Sequence, residues 1–344
     1  MQKIIDIRSD TKTIPTKRMY QAMLDAPLGD EQNEEDPTVI RLQKLAAQKL
    51  GKEDALFVAS GTMGNLVAMM THAQPGDSVI MEEEAHILRC EVGGLAAVAG
   101  LMLKTVPGEL GFPKINLLSK AMIGEGRLFP TTRLVCIENT HNSAGGTCIN
   151  VEQMKALSNL TRKYNIKIHV DGARIFNAAV ALNVDPAELV RNADSIQFCL
   201  SKSLGCPFGS LLVGDKTFIS KARKKRQMIG GGMRQAGLMA AAGIVGLEEM
   251  IDRLQEDHEN ADLLAKGLVE AGMKVDMQTV QTNMVYFEVP EEKIGVMDLV
   301  NSLKDENILI GEPKGRKIRV VTHKDVNRKD ISLVVQKIQK IMDR

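Results

Sequence analysis

The sequence predicts an α/β fold in which helices cover a mostly parallel sheet. Two short apolar runs, at residues 166–170 and 195–200, have the length and the β-branched content of buried parallel strands. A helix-length segment separates them, so together they form a predicted βαβ unit. Strand-like and helical patterns alternate again in the last part of the chain, which predicts a compact C-terminal α/β domain.

An acid and a lysine follow the two strands of this unit. Asp171 ends the first run, and Ser201 and Lys202 end the second. Parallel strands end on the same side of a sheet, so Asp171 and Lys202 should face one crevice. Pyridoxal 5′-phosphate (PLP) suits the pair, because its aldehyde bonds to an amine and a carboxylate keeps its pyridine nitrogen protonated. A strand-end salt bridge is the simpler alternative.

Composition argues against several classes of function. The 344 residues are 44% hydrophobic with a formal net charge of +1, so the chain can bury a large core but has no strong field for nucleic acid or membrane. The five cysteines form no C-x-x-C pair, which argues against zinc, and no metal site is predicted. The N-terminus lacks a signal-peptide core, and no apolar run would span a bilayer. We therefore expect a cytoplasmic protein.

Local patterns place the other elements in order. Apolar runs bounded by turn residues predict strands at residues 55–59, 77–81, 101–106, 134–137, 283–289, 308–310 and 318–321, and an antiparallel strand at 209–213. Helical spacing of apolar residues predicts helices at residues 16–26, 39–50, 87–94, 117–123, 151–164, 218–228, 296–306 and 329–342. One long helix, from 238 to about 271, is expected to join a large domain (1–240) to a small one (241–344). Residues 1–30 are expected to form an arm near the active site.

Two predicted turns carry candidate cofactor ligands. Ser60, Gly61 and Thr62 follow a strand and open a helix, where free N–H groups and the helix dipole favour a phosphate. An ordinary capped helix would have the same residues. His86 also follows a strand, and its ring could stack on a pyridine or could belong to a partly buried capping histidine.

Three arginines are candidates for anion binding. Arg174 could hold a substrate carboxylate through its planar fork, or form a salt bridge within its helix. Arg234 follows three glycines and could pair with phosphate, although a flexible turn has the same pattern. Arg319 lies in a strand, where it is expected at the surface unless it lines a cleft between domains. The acidic stretch at 28–38 is either a solvated loop or a site loop.

Nine short blocks carry a family resemblance over residues 6 to about 330: Ile7-Arg8-Ser9-Asp10-Thr11, Gly29-Asp30, Glu35-Asp36-Pro37-Thr38, Ser60-Gly61-Thr62-Met63-Gly64-Asn65, Glu138-Asn139-Thr140-His141, His169-Val170-Asp171-Gly172-Ala173-Arg174, Leu200-Ser201-Lys202, Gly230-Gly231-Gly232-Met233-Arg234-Gln235 and Val321-Thr322-His323. Together they resemble the low-specificity L-threonine aldolases, in the aromatic β-eliminating lyase/threonine aldolase group. The resemblance implies the fold-type I architecture of PLP-dependent enzymes, with a mostly parallel seven-stranded sheet and a small C-terminal domain.

The resemblance also implies roles for individual residues. Lys202 would bind PLP covalently, Asp171 would pair with its ring nitrogen, and His86 would stack on its ring. Further cofactor contacts are implied for Ser60, Gly61, Thr62, Arg174, Ser201 and, from a neighbouring subunit, Arg234. The substrate carboxylate would be held by Ser9, Arg174 and Arg319. The implied reaction cleaves the Cα–Cβ bond of L-threonine or L-allo-threonine to glycine and an aldehyde, in a homotetramer built as a dimer of dimers.

Five residues depart from the family pattern. Asn33 and Glu34 stand where a Tyr and a Gly are usual, and Leu128, in Gly126-Arg127-Leu128-Phe129-Pro130, replaces a His associated with the substrate hydroxyl. Leu cannot accept or donate a proton. The other two departures are Arg89, where apolar residues are usual, and Ser203, where Gly is common.

These departures leave alternatives open. PLP binding should survive them, but handling of the β-hydroxyl group could change, towards β-elimination or towards another side-chain preference. Arg89 could favour an acidic or larger substituent, or could simply be a surface or interface residue. A protein that holds PLP with little catalysis is a third alternative, which the complete set of carbanion-stabilising residues disfavours.

Overall fold

The computed structural model describes residues 3–122 and 128–343. The strands in these ranges are β1 Ile5–Asp6, β2 Asp54–Val58, β3 Ser78–Glu82, β4 Met102–Val106, β5 Gly108–Glu109, β6 Phe112–Pro113, β7 Thr132–Glu138, β8 Lys167–Asp171, β9 Ser195–Cys199, β10 Ser210–Gly214, β11 Met284–Glu288, β12 Ile308–Leu309 and β13 Lys317–Val321.

The α-helices in the same ranges are α1 Lys17–Leu24, α2 Pro37–Lys49, α3 Gly61–His72, α4 His86–Cys90, α5 Gly94–Ala97, α6 Ile115–Ala121, α7 Val151–Arg162, α8 Ile175–Leu182, α9 Pro186–Val190, α10 Lys216–Met228, α11 Gly237–Glu249, α12 Leu254–Glu270, α13 Val296–Asp305 and α14 Arg328–Met342. In the described parts of the chain, no helix has both the length and the apolar character needed to cross a bilayer.

Seven strands form the central sheet in the order β2-β10-β9-β8-β7-β3-β4. β10 is antiparallel to both of its neighbours, and the other pairs are parallel. The α/β class, the mostly parallel sheet and the antiparallel strand are therefore confirmed. Alternate residues of β2 enter different apolar clusters, Ala55 and Phe57 on one side and Leu56 and Val58 on the other, so both faces of the sheet are packed.

The parallel strands end at one edge of this sheet, and polar residues follow there. β3 ends at Glu82, β7 at Glu138 and β8 at Asp171. Glu138 lies opposite Asp171, and Asp171 lies opposite Gln197 of β9. A row of buried polar side chains therefore crosses the carboxyl end of the sheet, which is where ligands bind in open α/β folds.

A second apolar cluster lies in the C-terminal part of the chain. It contains residues of α12, α13, α14, β11 and β13, and also Ile5 and Ile7 from the N-terminus. β1 pairs in parallel with β12, so the start of the predicted arm packs on this cluster. Leu254 still belongs to the large cluster and Ala261 to the C-terminal one. The division into residues 1–240 and 241–344 stays a prediction.

The single long helix predicted from residue 238 is wrong, because the chain turns between α11 and α12. Met250 is buried in the large core, whereas Leu264 is buried in the C-terminal core. The segment between α11 and α12, Met250–Arg253, contains no Gly or Pro. The predicted helix at 87–94 is also divided, since Val92 and Gly93 have positive φ angles of 53° and 71°. The predicted end of another helix, Ile123, lies outside the described residues.

Candidate active site

A cavity of about 240 Å³ opens at the carboxyl end of the sheet. It lies where α3, β8 and β9 meet the segment that contains His86. The residues that line it are Ser60, Gly61, Thr62, Asn65, His86, Glu91, Asp171, Ala173, Gln197, Cys199, Ser201 and Lys202. Seven of the eleven predicted site residues are in this set, although their positions in the sequence extend from 60 to 202.

Asp171 is a buried carboxylate held by two amides. Asn65 Nδ2 donates to Asp171 Oδ2 at 3.0 Å, and Gln197 Nε2 donates to Asp171 Oδ1. The side chain is only 2% exposed, yet both oxygens are satisfied. A carboxylate oriented in this way can accept a further proton or hydrogen bond from a ligand in the cavity, since each oxygen has two lone pairs.

His86 lies beside a second buried carboxylate. Its Nδ1 donates to Glu91 Oε1 at 3.2 Å, and its backbone N–H donates to Glu138 Oε2 at 2.7 Å. The hydrogen bond to Glu91 raises the pKa of His86, although burial acts in the opposite direction. His86, Glu91 and Asp171 offer donor atoms within 4.8 Å of one another, close enough for a cation. The amide of Asn65 already donates to both carboxylates. This favours binding of an organic ring, such as a pyridine, between these groups over binding of a metal ion.

Lys202 follows β9 in a tight turn at the mouth of the cavity. The turn is closed by the Gly205 N–H, which donates to the Lys202 carbonyl at 2.8 Å, and Thr13 Oγ1 donates to the same oxygen at 3.2 Å. Gly205 has a φ angle of 73°, a conformation that favours glycine. Within the described residues, Lys202 Nζ has no hydrogen-bond partner. Among these residues the alternative of a structural salt bridge between Lys202 and Asp171 is therefore not found.

The N-terminus of α3 forms one wall of the cavity. Ser60 is the N-cap, and its side chain accepts a hydrogen bond from the Met63 N–H at 3.1 Å. A Cβ atom on Gly61 would lie 2.9 Å from Cys199 Sγ, so a larger residue would require a shift where the helix start packs against β9. The first N–H groups of α3, including that of Thr62, are left without helical acceptors and can bind an anion.

Arg174 is not in a salt bridge within its own helix. Its Nε and Nη2 donate to the two oxygens of Asp10 at 2.6 and 2.7 Å, and both side chains are buried. Ser203 Oγ donates to Asp10 Oδ2 at 2.7 Å. Burial alone would raise the pKa of Asp10, but the Arg174 charge and these hydrogen bonds hold it well below its ordinary value. Nη1 of Arg174 remains for another acceptor.

Arg319 and Ser9 come from the two chain termini. Arg319 Nη1 donates to Asn142 Oδ1 at 2.6 Å, and the Asn142 N–H donates to Glu138 Oε1 at 2.8 Å. Burial, and next the neighbouring charge of Arg174, lower the pKa of Arg319. Two guanidinium groups close enough to repel each other favour an anion between them. Ser9 caps a short 3₁₀ helix by accepting from the Thr11 N–H at 3.2 Å.

The chain is similar to known proteins over almost its whole length. The sequence profile of the beta-eliminating lyase family matches residues 6–290. A probable low-specificity L-threonine aldolase 2 of Arabidopsis thaliana is 41% identical over 98% of this chain and 97% of its own length. The low specificity L-threonine aldolase of Escherichia coli K12 is also 41% identical, over 96% of this chain and 97% of its own. The chain belongs to the beta-eliminating lyase family. The predicted family resemblance is confirmed.

Solved structures agree on the fold of this family member. A threonine aldolase of Leishmania major superposes with a TM-score of 0.85 at 19% identity, over 98% of this chain and 99% of the other. A serine palmitoyltransferase of Sphingomonas wittichii superposes with a TM-score of 0.80 at 16% identity, over 99% and 87%. The chain therefore has the predicted fold-type I architecture of PLP-dependent enzymes.

Arg234 lies away from the cavity of its own chain. It is exposed, and its Nη1 donates to Asp30 Oδ2 at 2.9 Å. The acidic loop at residues 28–38 is more than a solvated loop. Glu31 is buried and accepts from Arg226 Nη2 at 2.8 Å, and Asp36 caps α2 and accepts from the Gly237 N–H. Among the described residues that line the cavity, none comes from this loop.

All five departures from the family pattern also lie outside the cavity lining. Leu128 is 86% exposed, Asn33 is exposed, and the neighbouring Gly126 and Arg127 lie outside the described residues. Arg89 is paired with Glu84, and both side chains are about half exposed, which favours the surface interpretation. Glu34 has a φ angle of 61°, which explains why a glycine suits this position.

Sequence reasoning did not assign three residues that organise the cavity: Asn65, Glu91 and Gln197. Gln197 gave a signal, since a polar residue inside a buried strand needs a partner. Asn65 was part of a recognised motif but had no role. Glu91 gave none, because nothing local shows that a glutamate after a short helix is buried.

Proposed function

We propose that this protein is an aldolase that cleaves the Cα–Cβ bond of L-threonine and L-allo-threonine to glycine and acetaldehyde, and that accepts related 3-hydroxy amino acids. PLP is its cofactor. The observation that carries the proposal is the meeting of a free lysine amine with a buried, amide-held carboxylate at one cavity, in Lys202 and Asp171. The full-length similarity to proteins named as low-specificity L-threonine aldolases supports the reaction type.

The residues of the cavity fit PLP group by group. The N-terminus of α3 offers N–H groups to a phosphate, with the Ser60 and Thr62 side chains beside them. Asp171 offers a carboxylate for a ring nitrogen, and Lys202 offers an amine for the aldehyde. His86 lies close to Asp171 and is oriented by Glu91, so its ring can cover one face of the cofactor.

When bound, PLP supplies an electron sink for the negative charge that forms at the substrate Cα. Asp171 would hold the proton on the ring nitrogen that makes the sink effective. Arg174 and Arg319 would bind the substrate carboxylate with their remaining N–H groups, with Ser9 nearby, and so set which Cα bond is broken. Positioning of this kind contributes roughly 7–11 kcal/mol in well-oriented intramolecular reactions.

A group is also needed to accept the proton of the β-hydroxyl. Leu128 cannot do so, and it is exposed. Two titratable nitrogens of the cavity have no hydrogen-bond partner among the described residues, Nε2 of His86 and Nζ of Lys202. We propose one of these, or a water held by them, as the acceptor.

The decisive test is product analysis with L-threonine and L-allo-threonine in parallel, using the PLP-loaded protein. Glycine and acetaldehyde are expected from both substrates. Production of 2-oxobutanoate and ammonia instead would replace the aldolase with the second candidate, a β-eliminating lyase, which the exposed position of Leu128 leaves open. Lys202→Ala should abolish the visible absorbance of the lysine-bound cofactor; an unchanged spectrum would contradict the role of Lys202.

We also propose a homotetramer built as a dimer of dimers. Exposed apolar side chains support an interface, including Tyr20, Leu24 and Leu28 on and after α1 and the 98%-exposed Val92 beside the cavity wall. Arg234, exposed in its own chain, is proposed to reach the phosphate site of a neighbour. Light scattering at assay concentrations should give the mass of four chains, and a fully active monomer would contradict the proposal.

A cytoplasmic location is proposed on the basis of the thiols. Cys90, Cys136, Cys148, Cys199 and Cys206 are all free. Unpaired cysteines suit a reducing compartment. Fractionation of cells should recover the protein with the cytoplasmic markers, and recovery in an oxidising compartment would contradict this location.

A further inference from the structure

A line of polar side chains leads away from the cavity, in which Asn65, His169 and Ser195 are buried and His72 is partly buried. Asn65 Oδ1 lies 3.1 Å from His169 Nε2, and His169 Nδ1 lies 2.8 Å from Ser195 Oγ. Ser195 Oγ lies 2.7 Å from His72 Nε2, and the His72 ring stacks on Phe218 at a centroid distance of 4.5 Å. The line joins α3, β8 and β9, which also provide much of the cavity wall.

The hydrogen bonds of Asn65 determine how its amide is oriented. Nδ2 donates to Asp171 Oδ2 at 3.0 Å and to Glu91 Oε1 at 2.8 Å. Ionised carboxylates only accept hydrogen bonds, so the amide nitrogen must face them and both of its hydrogens are used. Oδ1 must then accept, and its partner is the Nε2–H of His169.

The direction of every other hydrogen in the line follows from this. A neutral imidazole that donates from Nε2 accepts at Nδ1, so the Ser195 hydroxyl donates to His169. Ser195 Oγ in turn accepts from the Nε2–H of His72. Burial lowers the pKa of His169 to about 3 and that of His72 to about 4, so both rings are neutral at pH 7, as the line requires.

The simpler alternative is that these groups only satisfy one another in the core. Against it stands the position of Asn65, which among the described residues is the side chain that bonds to both cavity carboxylates. Asp171 lies on β8 and Glu91 follows α4, and within residues 3–122 and 128–343 no other side chain donates to both carboxylates. Glu91 in turn orients His86. A neutral double donor between two carboxylates also offsets their mutual repulsion.

We propose that Asn65 is a positioning residue that keeps Asp171 and the Glu91–His86 pair in the positions from which they contact the cofactor. The His169–Ser195–His72 line keeps the Asn65 amide oriented so that its nitrogen donates to both carboxylates. The inference rests on the proposed function, because only there do Asp171 and His86 act on PLP.

The first test is Asn65→Asp, which preserves the size of the side chain but removes both donors and adds a third carboxylate. PLP affinity of the apoprotein, measured by titration of the visible absorbance, should fall at least about tenfold, the loss expected for one hydrogen bond to a charged group. The pH midpoint of the bound-cofactor spectrum should also move. An unchanged affinity and midpoint would overturn the proposal.

The second test separates the line from ordinary core packing. His169→Phe keeps a ring but removes the donor to Asn65, and His258→Phe is the matched control. His258 is also a buried neutral histidine bonded to an asparagine amide, that of Asn177, but Asn177, unlike Asn65, does not line the cavity. Both variants should lower the melting temperature. Only His169→Phe should weaken PLP binding, by about threefold to tenfold, and shift the spectral midpoint.

Equal effects of the two variants on affinity and spectrum would show that the line is only structural. Measurements on the wild-type protein distinguish a failure of this inference from a failure of the proposed function. If the wild type forms no lysine-bound cofactor, or Lys202→Ala leaves its spectrum unchanged, the proposed function fails. If the wild type behaves as expected and the Asn65 and His169 variants match it, only the inference fails.

Discussion

At the scale of single residues, the orientation of the Arg174 guanidinium depends on one buried carboxylate, that of Asp10. Asp10 occupies two of the N–H groups of Arg174 and is itself held by Ser203. Asp10 and Arg174 are 164 positions apart in the chain. It keeps the guanidinium fork in one orientation, with Nη1 left for a ligand. Ser203, a departure from the family pattern, therefore adds a hydrogen bond to the carboxylate that holds this arginine.

Replacement of Asp10 tests this support. Asp10→Asn should raise KM for L-threonine about tenfold, because a neutral amide cannot accept from both N–H groups and the fork loses its orientation. PLP affinity should change little, since Asp10 does not line the cavity. Steady-state kinetics and cofactor titration measure the two effects. Ser203→Ala serves as the milder control, and loss of PLP binding with an unchanged KM would contradict the assignment.

At the scale of elements, α3 joins two functions at its first turn. The Ser60 cap starts the helix, and the same turn offers N–H groups to the cavity. Local sequence accounts for this element, since a serine cap and small residues after a strand are typical of both uses. Local sequence does not account for the acidic loop before α2 in the same way. Its role in joining α2, α10 and α11 through Asp36 and Glu31 depends on partners far along the chain.

Removal of the α3 cap should affect stability and cofactor binding together. Ser60→Ala should lower the free energy of unfolding by about 1 kcal/mol, the usual value for a lost cap, and should also weaken PLP binding. Thr16→Ala is the matched control, because Thr16 caps α1 through the Met19 N–H at 3.1 Å away from the cavity. Denaturant unfolding and PLP titration distinguish them. Equal PLP affinities in the two variants would exclude a phosphate role for Ser60.

The acidic loop gives a prediction about stability alone. Arg226 is 2% exposed and Glu31 neutralises it. Glu31→Gln should cost about 3 kcal/mol of unfolding free energy, because a buried charge would lose its partner. Arg41, by contrast, pairs with Glu248 at the surface, so Glu248→Gln should cost well under 1 kcal/mol. Similar losses in the two variants would show that burial does not decide the difference.

At the scale of the whole molecule, buried histidines couple stability to pH. Burial lowers the pKa of His72 to about 4, of His169 to about 3 and of His258 to about 4. The unfolded chain protonates histidine near pH 6.5 while the folded chain does not, so these groups lower stability as the pH falls from about 6.5 to 4. The pKa values of His86 and His141 are raised in the folded chain. These two residues therefore stabilise the folded chain at and below pH 6.5, and their contribution is lost as the pH rises above 6.5.

The contribution of one histidine can be isolated with His258. His258→Phe should remove about one proton from the pH dependence of unfolding between pH 4 and 6.5, so its stability curve should be flatter than that of the wild type. Urea unfolding at a series of pH values measures the slope. A slope equal to that of the wild type would mean that His258 is protonated alike in the folded and unfolded chains.

The sequence by itself predicted most of the strands and helices, the antiparallel β10 and the family, but not the short strands β1, β5 and β6 or the break between α11 and α12. It also determined that Asp171 and Lys202 end neighbouring strands, which is why both line one cavity. These conclusions depend on interactions within a few residues, and on the rule that parallel strands end at one edge. Nine short blocks of residues in a fixed order predicted membership of the family, and the full-length comparisons confirmed it.

The tertiary structure alone decided which side chains hold these residues in place. The bond of Arg174 to Asp10 and the two donors on Asp171 join residues that are distant in the chain or on different elements. The turn between α11 and α12 contains no Gly or Pro, and most of the buried residues of α12 pack in the C-terminal cluster, whereas those of α11 pack in the large one. Hydrogen bonds between distant residues, and the burial that makes them strong, exist only once the chain has folded, so no local pattern encodes them.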